Sequence, residues 1–304
     1  MMFSDETNDE GGLILAHRSD TPGIKRALAA GRIQRLRRGA YTYLAGHQPD
    51  DQRRRALLQT IAVARQSRTP VVVSHESAAL IWGLYTVYVP TLTHVIQSSR
   101  PSRNDAADVK RHCAALPPED ATSLDEVQVT SLTRTVLDCA RTLPFREAVV
   151  ICDAAHGQDL DLGALASRVR GIAGRPGAQR ARMVLQHTRP GSESAGETLS
   201  RLEISAAGLP DPQLQVAVTT PCGRYRLDLG WPQWRVGIEF DGWMKYDRAD
   251  SASVLFAEKQ RENAIVAQGW TIVRLTFRDL REPQRLRRIV HDALRRAGWP
   301  GSTS

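Results

Sequence analysis

The sequence predicts a mixed α/β chain of the α+β kind, laid out in three successive segments. Three observations carry that expectation. Residues 21–44 read as a helix, a turn and a strand. VVVSHES, from Val71, reads as a buried strand running into a helix. From Glu193 onward the apolar pattern follows the order helix, strand, strand, strand, helix, strand, helix. The segments are expected at 1–50, 51–170 and 192–304. A Gly/Arg/Pro-rich stretch, GIAGRPGAQR from Gly171, opens a linker over 171–191.

In the first segment Pro22 suits the first turn of a helix and Gly31 its C-terminal end. Ile33, Leu36, Tyr41, Tyr43 and Leu44 then anchor a basic stretch. Lys25, Arg26, Arg32, Arg35, Arg37 and Arg38 place six cations in fourteen residues. A helix followed by a basic β-wing is how a winged helix-turn-helix meets DNA, with the helix in the groove and the wing on phosphates. These six are the candidate DNA-binding residues. The competing reading is a solvated basic face.

Composition narrows the partners. The chain has 304 residues, enough for two or three domains, and its 41% hydrophobic content is that of a globular protein. Its net charge of +8 favours an anionic partner, nucleic acid before membrane surface. The opening MMFSDETNDEGG is acidic, unlike a signal or transit peptide, and no apolar run reaches membrane-span length. Cys113, Cys139, Cys152 and Cys222 are widely separated with no CxxC pair. A zinc site or disulfide framework is therefore not expected, and a reducing cytoplasm is.

In the middle segment Ser74 is placed to cap a helix, and Val87 to Ser98 reads as a strand pair interrupted at Pro90. Val127 to Thr130 reads as a strand, with Ser131 or Thr133 capping the helix RTVLDCAR. His75, beside a cap and without a triad partner in a recognisable motif, reads as a hydrogen-bonded structural residue. Asp138, Arg141 and Asp153 are expected in ion pairs.

The third segment carries the chemistry. Leu199, Leu202 and Ala206 give a helix ending at Gly208, and strands follow at QLQVAVTT, RYRLDLGW and RVGIEFDG. A helix over Ser251 to Gln268 is broken by Gly269, the strand WTIVRLTF follows, and a basic amphipathic helix closes the chain. Asp228 lies within the second strand, while Glu239 and Asp241 close the third and point to one face. Three carboxylates at adjacent strand ends suit Mg²⁺ or Mn²⁺. The alternative is a structural network pairing them with Arg224, Arg226, Arg235 and Arg274.

Two resemblances sharpen these readings. GRIQRLRRGAYTYL, with SHESAALIWGL (Ser74 to Leu84) and VTSLTRTVLDCAR (Val129 to Arg141), resembles AbiEi-type antitoxin proteins, whose N-terminal domain is a small winged helix. The C-terminal α-β-β-β-α-β order resembles the PD-(D/E)XK nuclease fold, and more narrowly the very-short-patch-repair endonuclease-like domain. The matching blocks are Asp228, Glu239-Phe240-Asp241-Gly242, Glu258-Lys259-x-Arg261-Glu262 and Gly269-Trp270-x-x-Val273-Arg274. The resemblance implies a Mg²⁺ held by Asp228 and Glu239, with Glu197 as a further ligand and Asp241 completing the shell or orienting water.

The motif's usual Lys is replaced by Asp241, so Lys245 or Lys259 is implied as a migrated ammonium. No His follows Asp241-Gly242 to serve as general acid. The implied function is a metal-dependent DNA endonuclease targeted by the winged helix. The alternative is a non-catalytic DNA-binding regulator, the antitoxin of a type IV toxin–antitoxin pair, with a cognate toxin as partner.

Overall fold

The computed structural model describes residues 12–16, 21–44, 52–99, 106–158, 160–242 and 252–301. The chain forms two compact units, and neither is contiguous. One comprises Met1–Leu143 with Asp161–Ala181, the other Pro144–Leu160 with Arg182–Ser304. Mixed α/β architecture is present in both. Among the described residues no helix is long and apolar enough to cross a membrane.

The first unit begins with β1 (Leu13–Leu15), α1 (Thr21–Ala29), β2 (Ile33–Arg37) and β3 (Ala40–Tyr43). The strands form an antiparallel sheet in the order β1-β3-β2. α1 turns Ile24 and Ala27 onto Ile14 and Ile33, so its cations stay on the other side. The β2–β3 hairpin turns at Gly39, whose φ of 75° a β-carbon would resist. α2 (Gln52–Gln66) buries Leu58 and Ala62 against Leu13, Leu36 and Ala40.

A second sheet contains β4 (Val72–Val73), β5 (Thr93–Gln97), β6 (Val109–Cys113), β7 (Ala121–Leu124) and β8 (Val127–Thr130), ordered β6-β5-β4-β8-β7. β5 and β6 run parallel, as do β4 and β8. α3 (His75–Ile81) follows β4, and Ala78 packs on Val73, Val127 and Val129. α4 (Leu132–Thr142) follows β8 and is capped by Ser131, which accepts from the Arg134 N–H at 3.4 Å. The expected strand pair at 87–98 is one strand only, β5. Tyr88 is 70% exposed, and Pro90 has no N–H to offer a ladder.

α5 (Phe145–His156) belongs to the second unit, α6 (Leu162–Gly171) to the first, and α7 (Ala178–His187) spans the division at Ala181. The stretch expected as a linker over 171–191 is thus largely helical. AQRARMVLQH has high helix propensity, and its Ala181 and Val184 are buried.

The second unit is built on β9 (Gln213–Thr220), β10 (Gly223–Trp231), β11 (Val236–Asp241) and β12 (Thr271–Thr276), in spatial order β12-β11-β10-β9. β9, β10 and β11 pair antiparallel, and β12 joins β11 in parallel. α8 (Ala195–Ala206) precedes the sheet, and α9 (Ala252–Val266) makes the β11–β12 crossover. α10 (Phe277–Arg281) and α11 (Pro283–Arg296) follow. Ile265 of α9, fully buried, packs on Val216, Val218 and Leu227, which stabilises the pairing by about 1.5–3 kcal/mol. α8 lies on β10 and β11, and a β-carbon at Gly196 would run into the Phe240 ring.

Candidate functional site

β10 and β11 are in register at Leu229 opposite Ile238, so one step further Asp228 meets Glu239. The main-chain ladder stops there. In its place the Asp228 carboxylate accepts the Phe240 N–H at 2.7 Å. On the other side of β10 the register puts Gln215 beside Asp228, between the Leu227–Val216 and Leu229–Leu214 pairs. Gln215 has a left-handed φ of 52°, a strain of about 1–3 kcal/mol for a non-glycine residue. Both neighbouring strands are therefore irregular at Asp228.

Glu197 joins this cluster from α8. Ser194, the helix cap, accepts from the Glu197 N–H at 3.2 Å, and Glu197 accepts in return from the Ser194 hydroxyl and the Glu193 N–H, both at 2.8 Å. Gln215 donates to the second Glu197 oxygen at 2.8 Å. Burial pushes the Glu197 carboxyl above its ordinary range, the Asp228 and Glu193 charges push the same way, and the hydrogen bonds oppose. Asp228 is thus close enough to repel Glu197.

Glu239 faces α9, where Arg261 meets it at 2.7 Å; the Arg261 guanidinium also donates to the Arg226 carbonyl at 2.9 Å. Arg274 is in register with Glu239 but pairs with Glu262 at 2.8 Å. Arg226 pairs with Glu193 at 2.7 Å, and Arg235 donates to the Gln268 carbonyl at 2.9 Å. The counter-ion of Glu239, expected among Arg224, Arg226, Arg235 and Arg274, is Arg261, legible only once α9 is folded onto the sheet. Asp241 ends β11 opposite Thr276, half-buried. Lys259 is exposed on α9, and Lys245 lies outside the described residues.

The donor set suits a hard divalent cation, since it consists of carboxylate oxygens. Asp228 and Glu239, adjacent on paired strands, are the residues to hold one. Glu197 commits both oxygens to hydrogen bonds, which fits a role in orienting the cluster better than direct ligation. Such an ion would polarise a bound water and offset charge on a phosphoryl group.

Of the six candidate DNA-binding cations, Lys25, Arg26, Arg32, Arg35 and Arg38 are exposed. Arg37 is different. Its guanidinium meets Asp108 at 2.8 Å and donates to Gln66 at 2.6 Å, so it ties the hairpin to its own unit. Arg35, Arg38 and Arg68 line a cleft beside this pair.

Two of the three residues expected in ion pairs, Asp138 and Asp153, form them. Arg134 binds Asp138 and Asp120, both at 2.8 Å. Asp153 is fully buried and meets Arg201 at 2.8 Å, with further donors from Thr198 and the Arg189 N–H. Arg141 instead donates to the Pro176 carbonyl at 3.2 Å. His75 has its Nδ1 2.9 Å from the Ser74 hydroxyl.

No family model matches the chain. It is 32% identical over 172 residues to two uncharacterized proteins of Mycobacterium tuberculosis, MT2308 of strain CDC 1551 / Oshkosh and Rv2248 of strain ATCC 25618 / H37Rv. The match covers 55% of this chain and 62% of each relative, so the chain spans less than two thirds of their length. Among solved structures, that of the RV2827C protein from Mycobacterium tuberculosis aligns with a TM-score of 0.36 at 17% identity. That alignment covers 68% of this chain and 78% of the other.

Proposed function

We propose that the second unit is a metal-dependent phosphodiesterase module acting on DNA and that the basic hairpin of the first unit supplies DNA contacts. The observation that carries this reading is the Asp228–Glu239 juxtaposition on β10 and β11, with Glu197 electrostatically coupled to Asp228. The order β12-β11-β10-β9, with α8 before the sheet and α9 crossing over, is the frame expected from the PD-(D/E)XK resemblance. Mg²⁺ or Mn²⁺ is the cation that the carboxylates would hold.

Within that reading the chain's residues have distinct tasks. Asp228 holds β11 in place through the Phe240 N–H while presenting its carboxylate, and Glu197 and Gln215 keep α8 in register with β9. Arg261 balances Glu239 until a cation or phosphate competes for one of them. Asp241, in the position of the motif's Lys, cannot stabilise a developing negative charge; the ammonium would come from Lys245 or Lys259.

A second reading rests on a specific observation: Glu239 already carries Arg261, and Asp241 replaces the Lys. A chain that binds DNA without cutting it, acting as a regulator or antitoxin beside a toxin partner, fits those two features. A cytoplasmic setting is part of the proposal for either role.

The deciding experiment incubates full-length protein with supercoiled, mismatched and single-stranded DNA, with Mg²⁺, Mn²⁺ or chelator. Cleavage that needs the ion and disappears in Asp228→Asn and Glu239→Gln supports the phosphodiesterase. DNA binding without ion-dependent cleavage on any substrate supports the regulator.

A further inference from the structure

The first unit brings together three histidines that no sequence motif joins. His75 opens α3, His94 is the second residue of β5, and His112 lies in β6, which runs parallel to β5. Their nearest ring nitrogens all lie within 4.8 Å of one another. Among the described residues this is the one His/Cys/Asp/Glu group to reach that closeness. His75 and His94 are buried, and His112 is half-buried.

We propose that His75, His94 and His112 form a binding site for one borderline divalent cation, zinc by preference. One of the three pairs already has the spacing of ligands. His112 Nε2 and His94 Nδ1 are 3.4 Å apart. Two nitrogens each about 2.0–2.1 Å from a tetrahedral zinc are separated by about 3.4 Å. The His75 and His112 rings stack at 4.0 Å and 16°, so binding one ion requires them to tilt until their in-plane lone pairs converge; the His94 ring lies 5.3 Å and 5.2 Å from them respectively.

The surroundings also act as an outer shell would. A metal-bound imidazole donates its second N–H to an oxygen acceptor, which fixes its tautomer and its orientation. His75 Nδ1 has the Ser74 hydroxyl at 2.9 Å; when Nδ1 donates that bond, Nε2 is the lone-pair atom. His94, facing His112 through Nδ1, has its Nε2 3.9 Å from the Glu76 carboxylate, an electrostatic contact rather than a hydrogen bond. The backbone of His94 is clamped as well. Its N–H donates to the Ser77 hydroxyl and its carbonyl accepts the Ser74 N–H, both at 2.9 Å. His75 itself is held at a left-handed φ of 52°, an unusual conformation for a residue other than glycine.

Burial, with Lys110 nearby, pushes all three imidazoles toward the neutral form; His112 adds to this for His75 and His94, lowering His75 to about 2 and His94 to about 4. Neutral imidazole is the form that ligates. The cations nearby are Lys110, which is exposed, and Arg134, which Asp120 and Asp138 already neutralise. Soft thiolates take no part, and imidazole nitrogens favour zinc, nickel or copper over Mg²⁺. Three ligands leave a fourth position for water or a substrate oxygen.

The test uses untagged full-length protein. Zn²⁺ and Co²⁺ are titrated by calorimetry and by the visible absorption of tetrahedral Co²⁺, in wild type, His94→Gln, His112→Gln, Ser74→Ala and Asp228→Asn/Glu239→Gln. We expect one equivalent in wild type, none in the His variants, a 10- to 100-fold weaker site in Ser74→Ala, and an unchanged site in the carboxylate double variant. Folded wild type that takes up no metal, or His variants with native circular dichroism that bind it as wild type does, would overturn the proposal. If the His variants do not fold, the wild-type imidazole ¹⁵N shifts decide: shifts unmoved by Zn²⁺ in all three residues overturn it. Loss of nuclease activity has no bearing, because the readout is metal uptake in a different unit.

Discussion

The Asp228 carboxylate accepts the main-chain N–H of Phe240 at 2.7 Å, so one side chain both joins two strands and supplies the charge beside Glu239. The two tasks are separable by mutation. Asp228→Asn keeps an acceptor for that N–H and removes the charge, whereas Asp228→Ala removes both. We expect Asn to stay near wild-type stability and Ala to lose about 1–3 kcal/mol, the cost of an unmet buried donor. Any Mn²⁺ binding to this cluster should fall sharply in both. Urea unfolding and Mn²⁺ titration check the two effects on the same samples.

Arg261 competes with a cation for Glu239. Arg261→Gln should therefore tighten Mn²⁺ binding severalfold, with little change in stability because a partly exposed pair contributes at most about 1 kcal/mol. Weaker Mn²⁺ binding in this variant would mean that Glu239 needs Arg261 to be positioned at all.

The Asp153–Arg201 pair joins α5 to α8 with Asp153 fully buried. Arg201→Met leaves that carboxylate without its cation, and breaking such a pair costs about 3–5 kcal/mol. Denaturant melts should show the loss in a transition of the second unit.

Burial alone would raise the Asp279 carboxyl, but the Thr276 hydroxyl and N–H and the Arg285 guanidinium hold it below its ordinary value. The folded state therefore binds this proton less readily than the unfolded chain. The resulting stability is present above the unfolded value and is lost as pH falls through the folded one. Asp279→Asn should flatten the decline in urea midpoint as pH falls below the ordinary aspartate range. A decline as steep as in wild type would place that sensitivity elsewhere.

The hairpin arginines separate by role. Arg35→Ala and Arg38→Ala should each reduce the slope of log K for DNA against log salt by about 0.9, the value for one lost phosphate contact. Arg37→Ala should leave the slope alone and lower stability, since its partners are Asp108 and Gln66.

How much of this was legible in the sequence depends on the range of the contacts. QLQVAVTT became β9 residue for residue, and the acids of RYRLDLGWPQWRVGIEFDG fell on β10 and β11 as strand alternation required. Helix ends at Gly208 and Gly269 were local features and equally readable. Val87 to Pro90 was misread because an apolar run looks the same whether or not another strand pairs with it. Gln215 could not be anticipated, because its left-handed φ belongs to the sheet around Asp228. The three histidines were hidden for the same reason. His94 and His112 are eighteen residues apart and meet only through the parallel pairing of β5 with β6.

The interleaving of the two units bears on how the chain is made. Synthesis runs from the N-terminus, so the first unit has all its residues once Ala181 has emerged. α5 has emerged by then as well, yet its partner α8 follows only later, and the β-sheet later still. During that interval Val149, Val150 and Cys152, all buried in the finished protein, belong to a helix that still lacks α8. A nascent chain arrested soon after Ala181 should therefore carry a sticky helix, a natural client for ribosome-associated chaperones.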